Sequence, residues 1–203
     1  MSPVLLIRRA SIVEAVSDRR QLFRVDDTAI LDIMAVNEQD LLSQVAEACF
    51  PSSESFSLMR NIQSIDNENA LLLRNIHDKS PEISAYFLSV NKKIETVAAV
   101  IAKQIVSEHA SNIAVDLSEG GIGFQSNAPL EIDQHYAIKI WFNEKMTGVA
   151  AYAKVVDCQQ LDDNGFRISC QFKQLSDVDE KLISRHIMQV QAKQQRLKKE
   201  LID

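Results

Sequence analysis

The 203-residue sequence has few of the residues that cross-link or bend a chain: three cysteines, four prolines and five glycines. The odd number of cysteines and the lack of any CxxC spacing favour a reducing, cytoplasmic compartment. No apolar run reaches about 18 residues, so we expect no membrane-spanning helix. The apolar stretch at residues 3–7 is too short for a signal peptide.

The sequence also lacks an excess of positive charge and any recognisable catalytic pattern. Its net charge of −6 disfavours a nucleic-acid polymer as partner, because such binding relies on many lysine and arginine contacts to phosphates. No histidine lies at metal-ligand spacing to another, and we expect His77, His109 and His186 on the surface. No phosphate-binding glycine loop, nucleophile–base pair or paired-carboxylate pattern occurs, so the sequence predicts a non-enzyme without metal or cofactor.

What the sequence does contain is enough apolar residue, 46%, for a folded core. The hydrophobic pattern changes twice along the chain. It alternates like a strand at residues 25–36, becomes helical at 38–110, and returns to strand-like alternation from 111 until a capping box at 176–179 opens a last helix. We therefore divide the chain into an N-terminal arm with the first strand (1–37), a helical insertion (38–110) and a second β part with a C-terminal helix (111–203), an α+β organisation.

Three helices are predicted in the insertion, at 38–50, 52–78 and 81–108, and the last two carry heptad seams with alternating spacings of four and three residues. The seams consist of Leu58, Ile62, Ile65, Asn69, Leu72 and Ile76, and of Ile83, Phe87, Val90, Ile94, Val97 and Ile101. They suit either a hairpin within one chain or, as we favour, a bundle that joins two or more chains as a dimer or tetramer. The polar Asn69 in a core position is expected to fix register or oligomeric state.

Five more strands are predicted, at 112–117, 121–126, 136–142, 148–160 and 165–172, with a hairpin turn at 162–165. Short strands linked by glycine-containing turns are typical of a small antiparallel barrel. Cys170 lies on the alternating face of the last strand, which predicts a buried residue.

Two short motifs lie at the borders of predicted strands. Residues 19–24 read RRQLFR, and residues 116–121 read DLSEGG. Guanidinium groups match paired acceptors and the oxygens of phosphate. A carboxylate at Asp116 can accept from N–H donors of a ligand, Ser118 can brace the turn or bind the ligand, and Gly121 suits a positive φ or a close approach of the ligand.

The order RxxxR and then DxSxxG, together with the flanking strands, resembles the PilZ family of cyclic di-GMP receptors over residues 19–36 and 111–190. The resemblance implies a small PilZ-type β-barrel with cyclic di-GMP as the ligand. It assigns ligand binding to Arg19 as an auxiliary cation, and to Arg20, Arg24, Asp116, Ser118, Gly120 and Gly121. The helical insertion resembles an atypical, tetrameric PilZ subfamily, some members of which lack the arginine motif and nucleotide binding.

The sequence therefore predicts a cytoplasmic cyclic di-GMP receptor in which the ligand orders the segment 19–24 and changes the surface offered to a downstream protein. An alternative is a non-binding, oligomeric PilZ-like scaffold, against which both intact motifs argue. A weaker alternative is a nucleic-acid binder that uses the barrel and the arginines; the net charge and a single tryptophan, Trp141, disfavour it.

Overall fold

A computed structural model describes residues 23–107, 111–143, 146–162 and 165–200 of the chain. Its elements are β1 (Val25–Ala35), α1 (Glu38–Ser43), a 3₁₀ turn (Ala46–Cys49), α2 (Glu54–Lys79), α3 (Pro81–Ser107), β2 (Ile113–Ser118), β3 (Gly121–Ser126), β4 (His135–Phe142), β5 (Thr147–Gln160), β6 (Phe166–Gln174) and α4 (Asp177–Glu200). The strands form a closed antiparallel barrel in the order β1-β2-β3-β6-β5-β4, closed by β4 on β1. The predicted α+β class, with a small antiparallel barrel, long inserted helices and a C-terminal helix, is confirmed.

Strand β4 is buried on both faces, which explains why its sequence is almost continuously apolar. Tyr136, Ile138, Ile140 and Phe142 belong to the core inside the barrel, where Cys170 is also buried as predicted. Trp141 belongs to a second core outside the barrel, beneath the inserted helices. The barrel is therefore the central layer, and the helical insertion covers one side of it.

The start of α2 fixes the insertion to the barrel. The Phe56 ring meets Trp141 edge-on, with ring centroids 5.1 Å apart, and packs directly against Gly148 of β5. The Lys139 ammonium lies 4.6 Å from the centre of the Phe50 ring and 5.1 Å from that of Phe56, a cation–π arrangement in which burial lowers the pKa of Lys139. The junction is thus a closely packed aromatic cluster.

We expect Gly148→Ala to destabilise the protein by about 1–3 kcal/mol, because overpacking a filled core forces strain. A Cβ at this position would lie 2.5 Å from Phe56 Cε2 and 2.8 Å from its Cδ2, and Phe56 is only 1% exposed. Urea denaturation measures the change. Combining Gly148→Ala with Phe56→Leu should cost less than the sum of the two single changes; additive effects would contradict this packing.

The prediction of one continuous helix over 38–50 is wrong. Helix α1 begins with an Asn37 capping box and ends at Ser43, Gln44 and Val45 are extended, and a separate 3₁₀ turn follows. The Tyr152 hydroxyl of β5 lies 3.1 Å from the carbonyl oxygen of Asp40 and 3.3 Å from that of Gln44. These tertiary contacts override the local helical pattern.

Helices α2 and α3 form a hairpin with the predicted break at Ser80-Pro81, yet most of both heptad seams face solvent. Exposed fractions of the α3 seam residues Ile83, Ile94 and Val97 are 52%, 53% and 60%. In the α2 seam, only Ile62 and Ile76 are half-buried. Contact between the two helices of one chain therefore leaves most of the seam residues exposed.

Helix α4 closes one end of the barrel with Leu182, Ile183 and Ile187. Its start is capped as predicted: the Ser176 Oγ accepts from the Asp179 N–H at 3.1 Å. The buried Asp179 carboxylate also pairs with Arg60 of α2, which links α4 to the helical insertion. None of the helices in the described ranges combines the length and apolarity required to cross a membrane.

Candidate functional site

The first strand brings the end of the arginine motif to the second motif. Strand β1 pairs with β2 so that Val25 lies opposite Leu117 and Asp26 opposite Asp116, although the whole helical insertion separates the two strands in sequence. Arg24, just before β1, therefore reaches Asp116, and its Nη1 donates to Asp116 Oδ1. The predicted site residues Arg19 and Arg20 lie outside the described residues.

The Asp116 carboxylate holds a second arginine that the sequence did not single out. Arg167 of β6 donates from Nη2 to Asp116 Oδ2, so each carboxylate oxygen faces one guanidinium. The side chains of Arg24 and Arg167 are 35% and 34% exposed, against 16% for Asp116. The site is therefore a carboxylate between two half-exposed cations, and the three groups together carry a net charge of +1.

Gly123 of β3 makes room for this arrangement. It lies opposite Asp116 on one side and Ser169 of β6 on the other. A Cβ on Gly123 would lie 2.9 Å from Asp116 Cγ and 3.0 Å from Arg167 Nη2, closer than unstrained contacts allow. The missing side chain lets the ion pair between Asp116 and Arg167 cross the strand between them.

Hydrogen bonds to residues of the barrel strands hold the turn between β2 and β3 in place. Ser118 is 3% exposed, and its Oγ donates to the Gly121 carbonyl at 3.3 Å, so in this structure it braces the turn. The Gly120 carbonyl accepts from the Phe172 N–H of β6 at 2.9 Å. No glycine in the described ranges has a positive φ. For Gly121 the positive-φ expectation is therefore wrong. Gly121 does lie close to β6, where a Cβ would be 3.2 Å from the Cys170 carbonyl carbon, and its close approach to a ligand stays a prediction.

Helix α4 contacts both motif-bearing segments. Its Ser184 Oγ donates to Glu119 Oε1 of the turn at 2.7 Å. On the β1 side, His186 Nε2 lies 2.6 Å from Asp27 Oδ2, and the His186 ring stacks on Phe142 at 3.9 Å. The expectation that His186 is a surface residue is wrong, because α4 packs on the barrel end and leaves this side chain only 9% exposed.

The Asp27–His186 contact predicts an acid-sensitive contribution to stability. Burial raises the pKa of Asp27, but the hydrogen bond and charge interaction with His186, helped by the Thr28 backbone and Lys193, outweigh burial and lower it below the usual 3.8. Since the folded-state pKa is the lower one, the stabilisation is present above about pH 3.8 and is lost as the pH falls through the folded value. Denaturation midpoints between about pH 5 and 3 should therefore fall more steeply for the wild type than for Asp27→Asn; equal slopes would contradict this.

Two further features of the described chain lie apart from the two motifs or concern metal binding. The described ranges contain no group of three or more histidine, cysteine or acidic side chains that could hold a metal ion. A groove of about 1260 Å³ runs along α2 and α3 and is lined by polar and apolar residues such as Arg74, Leu88 and Lys103. None of the described motif residues lines this groove. This groove therefore lies along the helical insertion and not at the carboxylate–arginine site.

Comparison with known proteins identifies the barrel region. Residues 92–189 match the family model of the PilZ domain. This match includes the 116–121 motif and Arg167 but begins within α3, so it excludes β1 and Arg24. No curated protein matches the sequence.

Among solved structures, a Xanthomonas campestris protein, a tetrameric PilZ domain self-assembled through a helical bundle, aligns over 86% of this chain and 90% of its own, with 13% identity and a TM-score of 0.51. The PilZ domain of Escherichia coli YcgR with c-di-GMP aligns over 44% of this chain and 79% of its own, with 18% identity and a TM-score of 0.37. The K. pneumonia MrkH–c-di-GMP complex aligns over 43% of each chain, with 19% identity and a TM-score of 0.35. The first of these similarities shows a shared fold that extends beyond the barrel into the inserted helices.

Proposed function

Since this chain contains a PilZ domain, we propose that it is a receptor that binds cyclic di-GMP where the end of its arginine motif meets the turn at 116–121. One observation carries the proposal: Arg24 and Asp116, which lie in different motifs on either side of the helical insertion, are in direct contact. These two residues supply a cationic fork and a carboxylate, the two chemistries that a guanine nucleotide requires.

The contacts of Asp116 suggest how the ligand binds. Both carboxylate oxygens already accept from guanidinium groups, one from Arg24 and one from Arg167. The N1–H and N2–H₂ donors of guanine replace the Arg24 donor on Asp116, and Arg24 then turns to phosphate or to the O6 and N7 edge. Arg20, four residues earlier, provides the second guanidinium of the motif, and Arg19 adds positive charge. Binding is thus an exchange of one ion pair for several contacts to the ligand.

Helix α4 is the element that we propose relays binding. It is bonded to the turn through Ser184 and Glu119, and to the first strand through His186 and Asp27. Arg24 lies three residues before Asp27. A ligand that reorients Arg24 therefore shifts the start of β1, and with it the contact between Asp27 and His186 of α4. The receptor acts by binding rather than by catalysis, on a downstream protein in the cytoplasm, where reduced Cys49, Cys158 and Cys170 are expected.

The helical insertion is proposed to assemble copies of this chain. Besides its seam, α3 exposes Tyr86, Leu88, Val100 and Ile105, so a broad stripe of its solvent-facing surface is apolar. Such a stripe normally packs against another element. Neighbouring chains supply the missing cover in a dimer or a tetramer, as the X. campestris protein does in its own tetramer.

Calorimetric titration of the full chain with cyclic di-GMP, with GTP and cyclic di-AMP as controls, tests the receptor. We expect selective binding with a Kd of about 1 μM or tighter, equivalent to about −8 kcal/mol. Lack of binding at high ligand concentration would refute the receptor. It would favour the scaffold alternative, for which the exposed heptad seams are the specific observation.

A further inference from the structure

An arginine outside both motifs lies in the candidate site. Among the described arginines, only Arg24 and Arg167 form an ion pair with Asp116. We propose that Arg167 also binds the ligand, donating to a phosphate oxygen of the dinucleotide. This inference rests on the proposed function and extends it to a residue on the opposite side of the carboxylate.

The position of Arg167 is fixed by the barrel. It lies within β6, paired with Gln125 of β3 on one side and Gln159 of β5 on the other. Arg24, by contrast, precedes its strand. A cation on a doubly paired strand loses little freedom on binding, so its contact with the ligand carries a small ordering cost. Gly123 has no side chain, so the space between the Asp116 and Arg167 side chains stays open.

The charges favour an anionic ligand group at Arg167. Two guanidiniums flank one carboxylate, which leaves one positive charge unbalanced, and Arg167 keeps 34% of its side chain exposed. A guanidinium has five N–H donors, and Asp116 occupies only one of those of Arg167 in this structure. A cyclic dinucleotide carries two negatively charged phosphates. If Arg24 binds one of them, the other phosphate remains as an acceptor for Arg167.

The test is the affinity of Arg167→Gln for cyclic di-GMP as a function of ionic strength. We expect about tenfold or more weaker binding, and a shallower loss of affinity between low salt and about 0.5 M salt, because one of the cations that salt screens has been removed. Arg167→Lys should keep the wild-type salt dependence while binding more weakly than the wild type, since it retains the charge but not the two-pronged donor edge.

Lys173→Gln is the matched control. It removes the same charge from the same strand, but the Lys173 ammonium donates to Gln171 Oε1 at 2.6 Å, away from Asp116. Its affinity should stay within about twofold of the wild type, a change of less than 0.5 kcal/mol. Gly123→Ala, which changes no charge but pushes against Asp116 and Arg167, should also weaken binding and serves if Arg167→Gln does not fold.

The possible results separate this inference from the proposed function. If the wild type binds and Arg167→Gln binds equally with the same salt dependence, the proposed role of Arg167 is refuted and the receptor stands. Weaker binding with an unchanged salt dependence would also refute the phosphate contact, because it would leave Arg167 with only a structural role. If the wild type binds no cyclic di-GMP, both the receptor and the proposed role of Arg167 are refuted.

Discussion

Replacing Arg24 with alanine is expected to weaken cyclic di-GMP binding by about a hundredfold, equivalent to about 3 kcal/mol. A well-formed bidentate arginine contact contributes about 1–3 kcal/mol, and Arg24 is the described residue that joins the first motif to the second. The substitution removes the ligand contact and also one of the two guanidiniums beside Asp116. Calorimetric titration of the full chain measures the loss.

The same substitution should leave the fold almost unchanged. Arg24 is 35% exposed and precedes the first strand, and half-exposed ion pairs contribute at most about 1 kcal/mol to stability. Arg74→Ala is the matched control, because Arg74 is an exposed arginine on α2 that lines the groove of the helical insertion. If Arg24→Ala folded normally and bound the ligand as well as Arg74→Ala, Arg24 would have no role in recognition. Arg20→Ala extends the test to the part of the motif outside the described residues.

The sequence predicted the barrel well because its strands carry their own signals. Strand β1, predicted at 25–36, occupies Val25–Ala35, and β3, predicted at 121–126, occupies Gly121–Ser126. Alternating side chains on a half-buried surface produce this pattern without reference to any other part of the chain. The break at Ser80-Pro81 was equally local, since proline restricts the residue before it and suits the start of a helix.

The parts that the sequence did not predict depend on long-range contacts. The predicted helix at 38–50 is broken where the Tyr152 hydroxyl reaches the Asp40 and Gln44 carbonyls from β5. His186 is buried because α4 docks on the barrel end, and a helical pattern does not reveal which element lies opposite. The residues adjacent in sequence do not indicate either of these tertiary contacts.

The side chains that meet at the candidate site could be predicted only in part, because one of their contacts depends on tertiary structure. Arg24 and Asp116 belong to motifs that are recognisable in sequence, and the structure brings them together. Arg167 had one weak signal, a charged residue between Phe166 and Ile168 in the last strand. Its relation to Asp116 depends on the register of β6 on β3, which places Ser169 opposite Gly123. Register between distant strands is a tertiary property, so the relation of Arg167 to Asp116 is recognisable only in the folded barrel.

Substituting Ile94 and Val97 together with glutamate is expected to reduce the assembly to single chains. Both side chains are more than half exposed in the isolated chain, so the substitutions should cost its own fold little. In a bundle they would bury two unpaired carboxylates per chain, each at a cost of several kcal/mol. Light scattering after size-exclusion chromatography should therefore give the mass of an oligomer for the wild type and of one chain for the variant.

Lys92→Glu is the control for this experiment, since Lys92 is exposed on α3 but faces the groove of the helical insertion and not the seam. It should keep the wild-type mass, whereas an unchanged mass for Ile94→Glu with Val97→Glu would refute the bundle. Arg24, Asp116 and Arg167 all belong to one chain and lie on the barrel. The monomeric variant should therefore still bind cyclic di-GMP; loss of binding on dissociation would mean that a second copy completes or stabilises the site.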